Sequence, residues 1–201
     1  MISKKCAALA GILLIVVLSL FGCAGSNQYM KLSVPESVSA VASDNESLVI
    51  FMRPSTLGFA ISSSVFDIND KDESFVGIVS AKKKVVYRTA PGEHMFMVIG
   101  ESADFMRSNL QSGKTYYALV TPRMGVWKAR FSLRPVTKAE LGSDQFKTWY
   151  ADCEFTENTP GAVQWAKDNA ESIRSKRVEY QKKWNGKSEA DKPAINRDDC
   201  L

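Results

Sequence analysis

Val126-Trp127-Lys128-Ala129-Arg130-Phe131-Ser132-Leu133-Arg134 is the stretch that decides the fold class of this chain. Trp127, Ala129, Phe131 and Leu133 alternate with Lys128, Arg130, Ser132 and Arg134. Successive side chains of an extended backbone point to opposite faces, so this segment reads as a strand with one apolar and one basic face.

Working outward, His94-Met95-Phe96-Met97-Val98-Ile99 and Tyr116-Tyr117-Ala118-Leu119-Val120 are apolar on both faces. Strands of that kind sit centrally, and something must cover the outer side of their sheet. Similar β-rich runs span residues 47–53, 64–68, 75–79, 84–89, 93–99, 114–121 and 126–134. Pro54, Asn69-Asp70-Lys71-Asp72, Pro91-Gly92 and Ser112-Gly113 punctuate them with turn chemistry. Closely spaced short strands without helical periodicity between most of them predict a mainly β fold. The expected form is an antiparallel β-sandwich of about seven strands over residues 47–136.

The C-terminal third has a different period. Thr159-Pro160 has the form of an N-cap followed by proline at the first helical position. Val163, Ala166, Ala170, Ile173, Tyr180 and Trp184 then fall on one face of a long helix ending near Gly186. A shorter helix is expected over 143–150, giving a helical segment over 137–186 that can cover the sandwich. Residues 187–201 are polar and read as a loose tail unless Cys200 is tied back.

With 201 residues and 45% hydrophobic content, the chain can bury one sizeable core. Its formal charge of +4 includes Lys4 and Lys5 near the N-terminus. Setting these aside leaves 24 of the 26 basic residues against 22 acidic ones, a balance that gives no reason to expect a nucleic-acid partner.

The N-terminus carries an address. Lys4 and Lys5 precede an apolar run over residues 7–21, shorter than the roughly 20 residues needed to span a bilayer and close to the core of a signal peptide. Leu20-Phe21-Gly22-Cys23 follows, and it resembles the lipobox of bacterial lipoproteins, with Phe21 where that family more often has Ala or Ser. The resemblance implies that residues 1–22 are a cleaved signal peptide. It implies too that the Cys23 thiol carries a diacylglyceryl group. Residues 24–46, with Gly, Ser, Asn, Pro, Glu and Asp and few large apolar groups, read as a tether, so that 23–46 is the expected lipidated N-terminus and tether. Acyl chains contribute about 0.8 kcal/mol per buried CH2, so two or three chains anchor stably. Ala24, rather than Asp, after the cysteine implies the periplasmic face of the outer membrane in a Gram-negative envelope.

Two internal segments carry a further resemblance. Tyr87-Arg88-Thr89-Ala90-Pro91-Gly92-Glu93-His94 resembles the turn and strand of PEGA-type small β-sandwiches. Leu110-Gln111-Ser112-Gly113-Lys114-Thr115-Tyr116-Tyr117 resembles the glycine turn and tyrosine-rich strand of a related uncharacterised lipoprotein domain family. Gly92 and Gly113 are expected to supply the backbone freedom of these turns. The resemblance implies an envelope sandwich and brings no catalytic residues with it.

The candidate sites are few. Cys6 belongs to the export segment and Cys23 to the anchor, leaving Cys153 and Cys200 as a possible disulfide or as two free thiols. His94 is the single histidine and would need Glu101 or Asp104 to orient it as an acid–base group. Met52, Met95, Met97, Met106 and Met124 read as core filler rather than soft-metal ligands. No recurrent ligand spacing and no phosphate-loop, G-x-S-x-G, G-x-G-x-x-G or H-E-x-x-H motif points to a metal, cofactor or specific reaction.

Lys128, Arg130 and Arg134, joined by Lys82, Lys83, Lys84 and Arg123, form a basic face suited to an anionic glycolipid or an acidic envelope protein. A solvated strand face is one alternative. Another is a cover of acids from the C-terminal helix, such as Asp168 and Glu171. The expectation is a non-enzymatic envelope lipoprotein that binds or scaffolds at the membrane surface. The alternative is an enzyme acting on an envelope polymer through His94.

Overall fold

The computed structural model describes residues 28–34, 38–68, 72–123 and 130–201. The expected signal peptide, Cys23, the Asn69-Asp70-Lys71 turn, Met124 and residues 126–129, including Lys128, lie outside these.

Eleven strands and four α-helices occur among the described residues. In chain order they are β1 (Met30–Leu32), β2 (Ser47–Arg53), β3 (Ser63–Ile68), β4 (Glu73–Val79), β5 (Lys83–Thr89), β6 (Gly92–Ile99), β7 (Ala103–Leu110), β8 (Lys114–Arg123) and β9 (Arg130–Pro135). They continue with α1 (Lys138–Leu141), α2 (Asp144–Ala151), β10 (Glu154–Asn158), α3 (Pro160–Asp168), α4 (Ala170–Asn185) and β11 (Ala194–Ile195). One sheet has the order β1-β10-β5-β2-β8-β9 and the other β11-β7-β6-β3-β4.

The sheets are mixed rather than purely antiparallel. β2 runs parallel to β8, β10 to β5, and β11 to β7, while the other pairs are antiparallel. The reason is connectivity. Hairpins join β3 to β4, β6 to β7 and β8 to β9, but the chain crosses to the opposite sheet between β2 and β3, β4 and β5, β5 and β6, and β7 and β8. β2 and β8 therefore meet only after a long excursion, and parallel neighbours require such an excursion. Gly92 (φ +128°) and Gly113 (φ +72°) lie at two of the crossings, in backbone conformations that side chains disfavour, as the sequence led us to expect.

Three apolar clusters stack the molecule into four layers. Val49, Phe51, Val65, Phe96, Val98, Tyr116, Phe131 and Leu133 fill the space between the sheets. Ile50, Met52, Tyr117 and Leu119, on the outer face of the six-stranded sheet, pack under Leu141 of α1 and Phe146 of α2. Phe66, Met97, Ile99 and Phe105, on the outer face of the five-stranded sheet, pack under Ile173 and Trp184 of α4. The two-sided apolarity of residues 94–99 and 116–120 thus finds its cover in the C-terminal helices. β9 keeps the alternation of its sequence, with Phe131 and Leu133 buried and Arg130 exposed.

Other expectations are corrected. The long helix is two helices, because Asn169 (φ −101°, ψ 9°) leaves helical geometry and its Nδ2 donates to the Trp165 carbonyl at 2.8 Å. The register shift turns Ala162 and Trp165 inward and leaves Val163 exposed. The tether is partly structural, since β1 pairs with β10. The tail is not loose. β11 extends the five-stranded sheet, Leu201 and Thr115 exchange backbone hydrogen bonds at 3.0 and 3.2 Å, and Asp199 Oδ1 accepts from the Lys138 N–H at 2.8 Å. β7 was not foreseen because Asp104, Arg107, Ser108 and Asn109 interrupt its apolar pattern.

Candidate functional site

The two ends of the inter-sheet core are closed by polar groups. At one end β2 delivers Arg53, whose side chain continues the inward row of Val49 and Phe51 and is fully buried. Its Nη1 donates to the Ile61 carbonyl at 2.6 Å, and its Nη2 to Leu57 and Gly58 carbonyls at 2.7 and 2.8 Å. The guanidinium lies 4.8 Å from the Phe131 ring centroid. Burial draws its pKa below the ordinary value, and the three carbonyls replace the water it has lost.

At the opposite end, β3, β5 and β6 bring together Asp67, Tyr87 and His94. Asp67 Oδ2 accepts from His94 Nδ1 at 2.8 Å and from the Tyr87 hydroxyl at 3.1 Å. His94 Nε2 donates to the Ala90 carbonyl at 2.9 Å, and the ring stacks on Phe96 at 6.0 Å. A cleft of about 800 Å³ opens beside this cluster, lined also by Arg107, Asn109 and Asn196.

This geometry corrects the acid–base pairing. The strand register places Asp104 opposite Val98 and Ser108 opposite His94, so Asp104 lies about 13 Å along the strands from the histidine. Asp104 is instead held by Arg123 at 3.3 Å and Lys187 at 3.2 Å. Glu101 is farther still, beyond the end of β6. Moreover, a general base needs a nitrogen lone pair free for substrate. With a carboxylate on one ring nitrogen and a carbonyl on the other, both nitrogens of His94 donate. The hydrogen bond to Asp67 raises its pKa above the ordinary 6.5, more strongly than burial opposes it, and the Ala90 carbonyl adds to the effect. Burial first, and Asp67 next, raise the pKa of the Tyr87 phenol. The cluster works as a polar plug.

A pH dependence follows. A group whose folded pKa is raised contributes stability that is complete below its unfolded pKa and disappears as pH climbs through the folded one. Stability is therefore expected to fall as pH rises above the ordinary histidine value of 6.5 and through the raised value of His94. His94→Gln should flatten that decline in denaturant titrations. An equally steep decline in the variant would remove His94 as its source.

The basic face is largely spent within the molecule. Arg134 Nη1 pairs with Glu140 Oε1 at 2.7 Å and its guanidinium lies 5.2 Å from the Trp149 ring. Lys82 pairs with Asp152 at 2.7 Å, and Lys83 pairs with Glu154. Lys84 is buried, 3.6 Å from the Tyr150 ring centroid and 4.2 Å from that of Phe155, and donates to the Tyr150 carbonyl at 2.6 Å. Arg130 is exposed. The compensating acid on Arg134 is Glu140, not Asp168 or Glu171.

Cys153 and Cys200 are free, buried thiols rather than a disulfide. Cys153 belongs to the cluster outside the six-stranded sheet, and Cys200 to the one between the sheets, where it bridges to Tyr116. The sheet itself separates them. Burial pushes the Cys153 thiol up to about 11, so it is protonated at neutral pH.

Asp67 and Arg53 were not singled out from sequence. Each is the one charged residue of its strand, at an inward position by the alternation of its neighbours, and that was the available signal. No known protein family matches the chain, and no curated protein is significantly similar to it.

Proposed function

We propose that this chain is a lipid-anchored protein of the bacterial cell envelope that acts without catalysis, as a binding or scaffolding module at the membrane surface. The carrying observation is Leu20-Phe21-Gly22-Cys23 at the end of an apolar run over residues 7–21. The thiol is the nucleophile that takes the diacylglyceryl group, and Gly22 leaves the scissile bond open. Ala24 favours the periplasmic face of the outer membrane in a Gram-negative envelope.

Support for a non-catalytic role comes from His94, whose two nitrogens are both engaged by acceptors within the fold. Among the described residues no helix is long and apolar enough to cross a membrane. In this reading the partners are the membrane, through Cys23, and an envelope protein or anionic glycolipid on the folded surface.

The test is the intact mass of the N-terminal peptide from the membrane fraction, for wild type and Cys23→Ser. An acylated peptide beginning at Cys23, absent from the variant, is the expected result. A peptide retaining residues 1–22 without acyl mass would overturn the anchoring.

A further inference from the structure

The loop between β2 and β3, residues 54–62, is unusual in what it exposes. Leu57, Phe59 and Ile61 are 48%, 77% and 43% accessible, and no charged residue occurs from Pro54 to Phe66. Surface loops that need only solubility are rich in polar and charged groups. This one is apolar at its tip and held in shape from beneath. The fully buried Arg53 guanidinium grips the carbonyls of Leu57, Gly58 and Ile61, and the Ile61 N–H closes on the Gly58 carbonyl at 3.0 Å. A buried cation is thus used to hold an apolar loop outward.

Gln28 and Tyr29 are fixed to the fold at the start of α3. Thr159, the N-cap of α3, donates its hydroxyl to the Gln28 carbonyl at 2.8 Å, and its N–H donates to the Tyr29 carbonyl at 3.0 Å. Tyr29 packs against Trp165 with ring centroids 6.0 Å apart. Tyr29 and Ile61 line one cleft of about 470 Å³, so the chain's entry into the fold and the apolar loop are neighbours. Gln28 is five steps along the chain from Cys23, a reach of at most about 18 Å. A membrane holding the anchor must therefore lie within that reach of Gln28, and the cleft that Tyr29 shares with Ile61 puts the base of the loop beside this entry.

We propose that the tip of this loop, Leu57, Phe59 and Ile61, seats in the acyl–headgroup boundary of the bilayer that carries the Cys23 anchor, and so fixes the orientation of the sandwich on the membrane. The proposal rests on the anchoring put forward above. Apolar side chains gain by leaving water for that boundary, and a second attachment point converts a swivelling tether into a defined pose.

The experiment uses the full-length, acylated protein in vesicles of phosphatidylethanolamine and phosphatidylglycerol containing doxyl-labelled lipid. A bimane fluorophore is placed on Phe59→Cys or, as a control at the opposite end of the sandwich, on Glu93→Cys. The native Cys153 and Cys200 thiols are buried, so labelling is directed to the new site. The label at 59 is expected to lose most of its emission to the doxyl lipids while the label at 93 keeps it. Adding Phe59→Asp to a label at Ala60→Cys should restore emission. Both side chains are exposed, so folding is not at stake.

An acylated Cys23 with equal emission at 59 and 93 would overturn the loop contact and leave the anchoring intact. A peptide mass showing an unmodified N-terminus would remove the anchoring and this proposal together. Emission at 59 unaffected by lipid, with concentration-dependent crosslinks between 59 and 59, would overturn it by assigning the loop to a second copy of the chain.

Discussion

Arg53→Ala is expected to lower folding stability by about 3 kcal/mol or more, read as a shift in the denaturant midpoint at unchanged slope. Three backbone carbonyls accept from this one guanidinium, and hydrogen bonds from charged donors contribute about 1.5–3 kcal/mol each. The loss is smaller than their sum, because a released loop exposes some of those carbonyls to water. The aliphatic stem and its packing on Phe131 go as well.

Arg53→Lys separates the two contributions. Lysine keeps the charge but presents a point donor rather than a planar fork, and it cannot span three acceptors in this arrangement. An intermediate loss is expected, together with faster proteolysis within residues 54–62 for both variants. If Arg53→Ala were as stable as wild type, the guanidinium would not be what holds the loop. Among the described residues its Nε finds no acceptor, so the site carries a small existing penalty that an apolar replacement such as Arg53→Met would relieve in part.

Trp184→Ala is the second large effect, expected at about 3–5 kcal/mol. α4 has a thin apolar stripe, with Ile173 and Trp184 buried and Tyr180 half-buried, on a helix otherwise dominated by charge. A helix of 16 residues is marginal in water on its own, so its helicity depends on docking. Trp184 supplies most of that docking. Its ring packs on Phe105 at 6.0 Å between centroids, its Nε1 donates to the Phe105 carbonyl at 3.1 Å, and Arg107 and Lys192 flank its face at 5.7 and 5.2 Å.

Removing the indole leaves a cavity over the five-stranded sheet and an orphaned carbonyl beneath it. Trp184→Phe keeps a ring in the cavity and loses the hydrogen bond, for about 1 kcal/mol. Hydrogen exchange distinguishes undocking from global loss. The amides of α4 should lose protection in Trp184→Ala before those of β2 and β8, and uniform loss of protection across the molecule would refute local undocking.

Much of the strand set was legible before any coordinates, and the reason is local. β2, β5, β6, β8 and β9 carry their own evidence, because burial on one or both faces leaves a period of two or an unbroken apolar run. The turns at Gly92 and Gly113 were legible for a similarly local reason, a backbone angle that favours glycine. The need for a covering layer was readable too, since an apolar outer face has few other fates. The proposed anchor likewise rests on a few adjacent residues, Leu20-Phe21-Gly22-Cys23.

Only the tertiary structure decided the rest. Pairing β2 with β8 in parallel joins residues whose codes carry no mutual mark, because a strand's side-chain pattern is the same whichever direction its neighbour runs. β1, β10 and β11 are short enough to pass for loop; β10 is a strand because β5 and β1 flank it, and β1 and β11 because sheet edges accept them. Cys153 and Cys200 looked like a pair by count, and a sheet stands between them. His94 found its acid on β3, 27 residues upstream, rather than among its near neighbours. Contacts of that range depend on how two sheets are laid together, and local sequence pattern does not encode them.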